Sequence, residues 1–320
     1  MHMADALVSP PVAAVAGVAA ASLLVVATGK VAKSNRTDII PLMGVMGAFV
    51  FAAQMINFSI PGTGSSGHII GGVLLAAMLG PWAAYLTLCS VLIVQCLVFA
   101  DGGLMALGCN MINMAAVSTL IGYPLVYRPL VKYPASTWRI MLGAVSACVL
   151  ALEAGALLVS AETVASGITA LPLGKFLIFM LPIHLAIGVC EGVATGLVVT
   201  FVQRYNAPLL TGSTETAGTI RKSGGRRKHV LWAFGIAALV LAVAFTWIAS
   251  SNPDGLEWSI EKVAGVAELA PATTPATALM PDYASHFAGI VGGVLVMATL
   301  WAVTTVIFRR RRHTAAQRLK

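Results

Sequence analysis

Nine apolar runs, all but one of at least eighteen residues, succeed one another between Pro11 and Phe308, separated by polar breaks. A run of that length that enters hydrocarbon must satisfy its own backbone hydrogen bonds, which a helix or a closed barrel alone can do. No segment shows the ten-residue alternation of a barrel strand. The chain therefore reads as an all-α polytopic membrane protein, and its 58% hydrophobic and 10% charged content excludes an ordinary soluble core.

Charge placement sets the expected topology. Lys30, Lys33 and Arg36 follow the first run, and Arg128, Lys132 and Arg139 flank a second break. Arg204, Arg221, Lys222 and Arg226 to Lys228 form a third group, and Arg309 to Arg312, Arg318 and Lys320 a fourth. Together they hold eighteen of the twenty basic residues, and the positive-inside rule puts all four groups in the cytoplasm. Same-side groups require an even number of crossings between them. His68 to Ala100 is 33 residues, about 50 Å of helix against about 30 Å of hydrocarbon, so it must fold into two passes, and Gly80-Pro81 is the expected break.

The expected spans are Pro11 to Thr28, Ile39 to Phe58, His68 to Leu79, Pro81 to Ala100, Leu104 to Tyr123, Arg139 to Ser160 and Leu173 to Gln203, then Val230 to Ser250 and His286 to Phe308. This is a seven-helix block plus two C-terminal transmembrane helices, with the N-terminus outside. A polar stretch from Tyr205 to His229 divides a domain of residues 1–204 from one of 230–320, with 205–229 a cytoplasmic linker. Acids gather on the outer side: Asp5, Asp101, Glu162, Asp254, Glu257, Glu261, Glu268 and Asp282. An arriving cation would meet that field first. No GxxxxGK[ST] phosphate loop occurs, so no ATPase site is expected, and nucleic acid is not an expected partner. The five cysteines form no CxxC pair and read as packing residues.

The chain opens "MHMADALVSP" and reads as lacking a cleaved leader. If Met1 is free, its amine, the amide nitrogen of His2 and the Nδ1 of His2 can close adjacent chelate rings around one metal. Ni(II) and Cu(II) favour such planar nitrogen sets, and binding must expel protons. His68, in "PGTGSSGHIIGG" on the same side, is the best source of a fourth nitrogen. Most second-position histidines are inert, and a histidine at a helix start more often bonds backbone; only their conjunction with the Gly/Ser-rich loop and the expected lack of a leader raises the metal reading.

Asn110 and Asn113, three apart on one face, could orient His68 or the N-terminal segment; Ser66 and Gln54 are weaker candidates. His184 and Glu191 share a face of the seventh span and read as a structural pair, with each other or with a neighbouring helix, set too deep to ligate the metal. Gly188, Gly192 and Gly196 form a small-residue stripe for close packing or for a membrane partner. Glu153 receives no role, and Arg309 to Arg312 reads as a stop-transfer anchor at the lipid surface.

"MHMADALVSP", "IPGTGSSGHIIGG", "ADGGLMALGCNMINMA" and "HLAIGVCEGVATG" closely resemble the CbiM/NikM family, the substrate-binding components of energy-coupling factor transporters for cobalt and nickel. The likeness covers Met1 to Gln203. It implies a seven-helix fold with the N-terminus tucked into an outward pocket, and a metal held by Met1, His2 and His68. Where nickel members commonly read PDGF this chain reads ADAL, keeping Asp5 alone.

"SSNPDGLEW" followed by "MPDY" resembles the NikN-like accessory component of the same systems and implies a loop, Ser251 to Ser285, that promotes metal loading. Locally, Pro253-Asp254-Gly255 reads as a turn without a ligand. The resemblance implies Ni(II) or Co(II) as transported substrate, nickel slightly favoured, and no organic cofactor. It also implies a CbiQ/NikQ-like coupling subunit, CbiO/NikO-like ATP-binding subunits, and a prokaryotic plasma membrane location. The rival reading is a haem- or quinone-linked oxidoreductase that uses histidines such as His184.

Overall fold

In the computed structural model, residues 1–34, 36–168, 171–212, 224–244, 247, 249–265, 279–280 and 287–318 are described. Most of the expected linker's Arg221 and Lys222 segment, Glu268, "PDY" with Asp282, His286 and Lys320 lie outside them, as do the side chains of Arg226, Arg309 to Arg312 and Arg318.

Among the described residues six helices are long and apolar enough to cross a membrane. α1 (Pro10–Lys33) starts with prolines where no helical N–H is lost and ends on Lys30 and Lys33, which suit the negative helix end. α2 (Ile40–Gln54) is a shorter apolar helix that leads into a hairpin of β1 (Phe58–Ile60) and β2 (Ser65–Gly67), antiparallel with Ser59 opposite Ser66. α3 (Gly72–Leu79) and α4 (Pro81–Phe99) meet at Gly80, whose φ of 85° only glycine adopts freely. The expected break is there, but α3 has eight residues, about 12 Å, and cannot span alone.

A fifth span, Leu107–Leu130, runs from α5 (Leu107–Asn110) through a π-helical stretch, Met111–Tyr127, that contains Pro124, to α6 (Arg128–Leu130). α7 (Thr137–Ser166) and α8 (Leu173–Asn206) form the largest helix pair. Their seam is the glycine stripe. A Cβ on Gly188 would sit 2.8 Å from the Cα of Val149, and one on Gly192 2.4 Å from that of Val145. The stripe is thus filled from within the chain, and a membrane partner is not needed to explain it.

α9 (Gly224–Ala244) and α11 (Ala288–Arg318) pack on α2. Between them lies α10 (Gly255–Ala264), which corrects the reading of Pro253-Asp254-Gly255 as a simple turn. Asp254 caps α10 by accepting from the amides of Leu256 and Glu257, while Glu257 bonds back to the amide of Asp254. Many large apolar side chains face outward along the spans, including Val15, Trp138, Ile178 and Leu197, as lipid contact requires. Four cysteines are buried and Cys190 is exposed; all are free.

Candidate metal centre

The chain start is folded inward. Met1 is 4% exposed and Met3 fully enclosed. Asn110 holds Met3 from both sides, accepting from its amide at 2.8 Å and donating to its carbonyl at 3.2 Å, and the Gly103 amide donates to the same carbonyl at 2.9 Å. Asp5 accepts from the amides of Met105 and Ala106. Glycine is required opposite it, because a Cβ on Gly103 would strike the Asp5 carboxylate. The retained Asp5 and the "DGG" loop are therefore one clamp on the N-terminal segment.

The clamp presents Met1 and His2 to His68. The Met1 nitrogen lies 3.2 Å from Nε2 of His68, and the His2 and His68 rings stack with centroids 5.1 Å apart. His68 Nδ1 is 3.1 Å from the carbonyl oxygen of Ile69, which can only accept, so Nδ1 carries the proton and Nε2 offers its lone pair to the amine. His2 Nδ1 lies 3.2 Å from an Asp101 oxygen and Nε2 3.3 Å from Oε1 of Gln95. A cavity of about 270 Å³ opens here, lined among others by His2, His68, Asp101, Asp254 and Glu257.

The accessory loop completes the centre. The Met1 amine donates to Asp254 at 2.7 Å, an ion pair across 253 positions of sequence. Ser66 pins the loop: its amide and hydroxyl donate to the carbonyl of Pro253, and its hydroxyl also to that of Asn252. Trp258 donates to the carbonyl of Thr63 and packs edge-on against Phe179. Gly255 lies against α8, where a Cβ would meet Ile183 at 2.6 Å and His184 at 3.2 Å.

Burial and the neighbouring ammonium push His2 down to about 3, and with the further influence of His2 they push His68 down as far. Both rings are neutral at pH 7, the form a metal needs. Burial alone would raise Asp254, yet the Met1 ammonium beside it holds its carboxyl well below the usual range. Burial and then Asp254 push Glu257 up.

Met1, His2 and His68 thus come together as expected. Among the described residues no three His, Cys, Asp or Glu side chains converge on a metal position; what converges here is the Met1 amine and two imidazoles. Asn110 orients the N-terminal segment, and Asn113 reaches the sulfur of Met3 and Glu162. Ser66 serves the accessory loop instead of a ligand. His184 and Glu191 do not bond each other: His184 Nδ1 bonds the Met180 carbonyl, and Glu191 accepts from the amides of Ile70 and Gly71 at 2.7 and 2.9 Å. Sequence reasoning missed Gln95, Asp101 as a neighbour of His2, and Asp254 as the partner of the amine. Nothing in local spacing links position 254 to position 1.

Comparison with known proteins agrees with this geometry. The family model for the cobalt uptake substrate-specific transmembrane region, CbiM, matches residues 2–209, and the PDGLE domain matches 228–309. The fused nickel transport protein NikMN of Rhodobacter capsulatus is 30% identical over 94% of this chain and 86% of its own length. The cobalt transport protein CbiM of Geobacter sulfurreducens is 28% identical over 84% of this chain and 75% of its own length. A crystal structure of a transition metal transporter aligns over 71% of this chain and all of its own, at 32% identity and a TM-score of 0.58. With the tucked chain start, the paired histidines and the PDGLE turn all in place, the chain belongs to the CbiM family and carries a PDGLE domain behind it.

Proposed function

We propose that this chain captures Ni(II) or Co(II) at the outer face and passes it inward, as the substrate-binding subunit of an energy-coupling factor importer. The observation that carries the reading is the Met1 nitrogen 3.2 Å from the unprotonated Nε2 of His68, with the His2 ring stacked beside them. The ligands are the Met1 amine, the amide nitrogen and Nδ1 of His2, and Nε2 of His68. Residues 1–204 form the metal-binding domain, 205–229 a cytoplasmic linker and 230–320 the accessory domain. Energy comes from a CbiQ/NikQ-like coupling subunit and CbiO/NikO-like ATP-binding subunits. The family assignment leaves the oxidoreductase reading without support.

The chemistry of loading follows from the donors. Binding M(II) expels one proton from the ammonium and one from the His2 amide, so two charges enter and two leave. The centre keeps a single net positive charge before and after, and Asp254 serves as counter-ion in both states. Nickel is slightly favoured over cobalt because the nitrogen set is planar.

The test is Ni(II) binding by the intact chain against one with a few residues added before Met1. The extension is expected to abolish tight binding and to cancel proton release; unchanged binding would sink the ligand assignment. His68→Ala should weaken binding through the loss of one nitrogen.

A further inference from the structure

Three of the basic groups meet at one end of the bundle. Gln203, near the end of α8, donates to the Ala135 carbonyl and accepts from the Ala135 amide, which brings the Arg128 to Arg139 break against that helix end. Arg227, in the first turn of α9, bonds the Asp38 carboxylate beside Lys33 and Arg36. Between these two ties a cleft of about 600 Å³ opens from α8 to α9, lined by Phe201, Arg204, Tyr205, His229, Val230 and Ala233.

The cleft has a cationic rim and an apolar wall. Among the described residues no carboxylate pairs with Arg204, Lys228 or His229, whereas Arg36 and Arg227 share Asp38. The Arg204 guanidinium therefore keeps its donors for a group outside the chain. Away from the rim both walls turn to hydrocarbon: Val193, Leu197 and Phe201 form an exposed row at i, i+4 spacing on α8, and Ile236 and Val240 continue outward beyond Ala233 on α9. The Phe201 and Tyr205 rings lie 4.5 Å apart, so the two walls begin in one aromatic ledge. A water-soluble anion would use only the rim.

We propose that this cleft holds an anionic phospholipid, its phosphate bonded by Arg204 with His229 and Lys228 beside it and its acyl chains laid along α8 and α9. The guanidinium offers a planar fork that matches two phosphate oxygens, which a lone ammonium cannot. Basic recesses between spans on the cytoplasmic side suit such headgroups, and this end of the bundle is the expected cytoplasmic one. Tyr205 and Trp232, both exposed, set the depth by placing a polar edge at headgroup level. Since α8 lies in the CbiM region and α9 in the PDGLE region, the lipid joins the two parts of the chain at their inner ends.

The test must separate a built site from the attraction of a basic surface. The full chain is reconstituted in vesicles of equal parts phosphatidylglycerol and phosphatidylcholine, extracted in mild detergent, and read by native mass spectrometry for retained lipid. The parent should keep phosphatidylglycerol over phosphatidylcholine by roughly tenfold, the order expected of one or two cationic contacts at the membrane surface, and Arg204→Gln should bring the two near parity. Ala233→Phe, which fills the apolar wall without changing charge, should also lose the lipid, while Lys33→Gln, at the same end but outside the cleft, should keep it. Thermal unfolding at the parent's midpoint shows that the variants are folded.

Two outcomes need no variant. Equal retention of both lipids by the parent overturns the proposal and leaves the rim to an acidic segment of a partner. Displacement of phosphatidylglycerol by millimolar inorganic phosphate overturns it too, because the site would then take a free anion. Among the variants, equal losses in Arg204→Gln and Lys33→Gln, or full retention in Ala233→Phe, would reduce the effect to general charge and sink the cleft as a lipid site.

Discussion

Asp254, half-buried, and Glu191, fully buried, are carboxylates within one connected set of contacts around the centre, and they are used in opposite ways. Asp254 faces an ammonium that metal binding would deprotonate, and reaches it from a separate domain through a loop pinned on Ser66. Glu191 faces two backbone amides that no chemistry changes, and lies eighteen residues, about 27 Å, into α8. The first is a partner that can be exchanged. The second is architecture: non-helical backbone packed against a candidate membrane span needs protein partners for its N–H groups, and the Ile70 and Gly71 amides find them in one carboxylate.

The contrast predicts that damage at Glu191 appears first as lost stability. Glu191→Leu leaves two buried amides unpaired at about 1–3 kcal/mol each, so the metal-free chain should lose roughly 2–6 kcal/mol in unfolding measurements, with metal binding lost as a consequence. Unchanged stability would mean that segment 68–71 does not depend on the carboxylate. One residue away, Gly192→Ala would push a methyl to 2.4 Å from the Cα of Val145 and should cost about 1–3 kcal/mol. Gly196→Ala should cost less, because its clash is with the flexible sulfur end of Met141. Equal costs would show that the α7–α8 seam yields as a whole.

How legible these two regions were differs for a physical reason. The spans, the Gly80-Pro81 corner and the stripe of Gly188 to Gly196 follow from run length, ring chemistry and period, which are local. That Met1, His2 and His68 come together could be anticipated from the chelating set their nitrogens would form and from the motifs around them. Gln95 and Asp254 could not be found that way: each matters through a partner 93 or 253 positions away, and a glutamine in an apolar helix looks the same whether it bonds a distant side chain or merely packs. Glu191 was visible as an anomaly, a carboxylate in a span, but its partners are backbone amides, which carry no sequence signal. The β1–β2 hairpin was hidden inside Gly- and Ser-rich text, and α10 behind a proline-glycine turn whose aspartate is in fact a helix cap.

Protonation offers a test confined to the outer region. In the folded metal-free chain His2 and His68 lie near 3, against about 6.5 when unfolded, so between those values the unfolded chain binds more protons and stability rises with pH. Lowering the pH from 6.5 to 5.5 should therefore cost roughly 1 kcal/mol per histidine, with little change above pH 7.5. Thermal unfolding across that range checks it, and His2→Gln with His68→Gln should flatten the profile. A double variant whose profile matches the parent's would mean that the two rings accept protons in place.

The smallest effect on affinity belongs to Asp254→Asn, although Asp254 touches the centre most directly. Asparagine still caps α10, so the loop stays docked, and the cost of losing the ion pair to the Met1 ammonium falls on the stability of the fold. The net charge that Asp254 faces is the same with two protons as with one divalent metal, so the variant weakens both states alike and affinity moves little. The approach of the cation is different: a dication entering past Asp101, Glu257 and residue 254 arrives before any proton has left, and feels the full field. Loading should slow about tenfold at low salt, and the difference should shrink as ionic strength rises. Stopped-flow Ni(II) binding at two salt concentrations reads both quantities. A large affinity loss with an unchanged on-rate would instead make Asp254 a metal ligand, and the division between an exchangeable and an architectural carboxylate would then have to be redrawn at the metal itself.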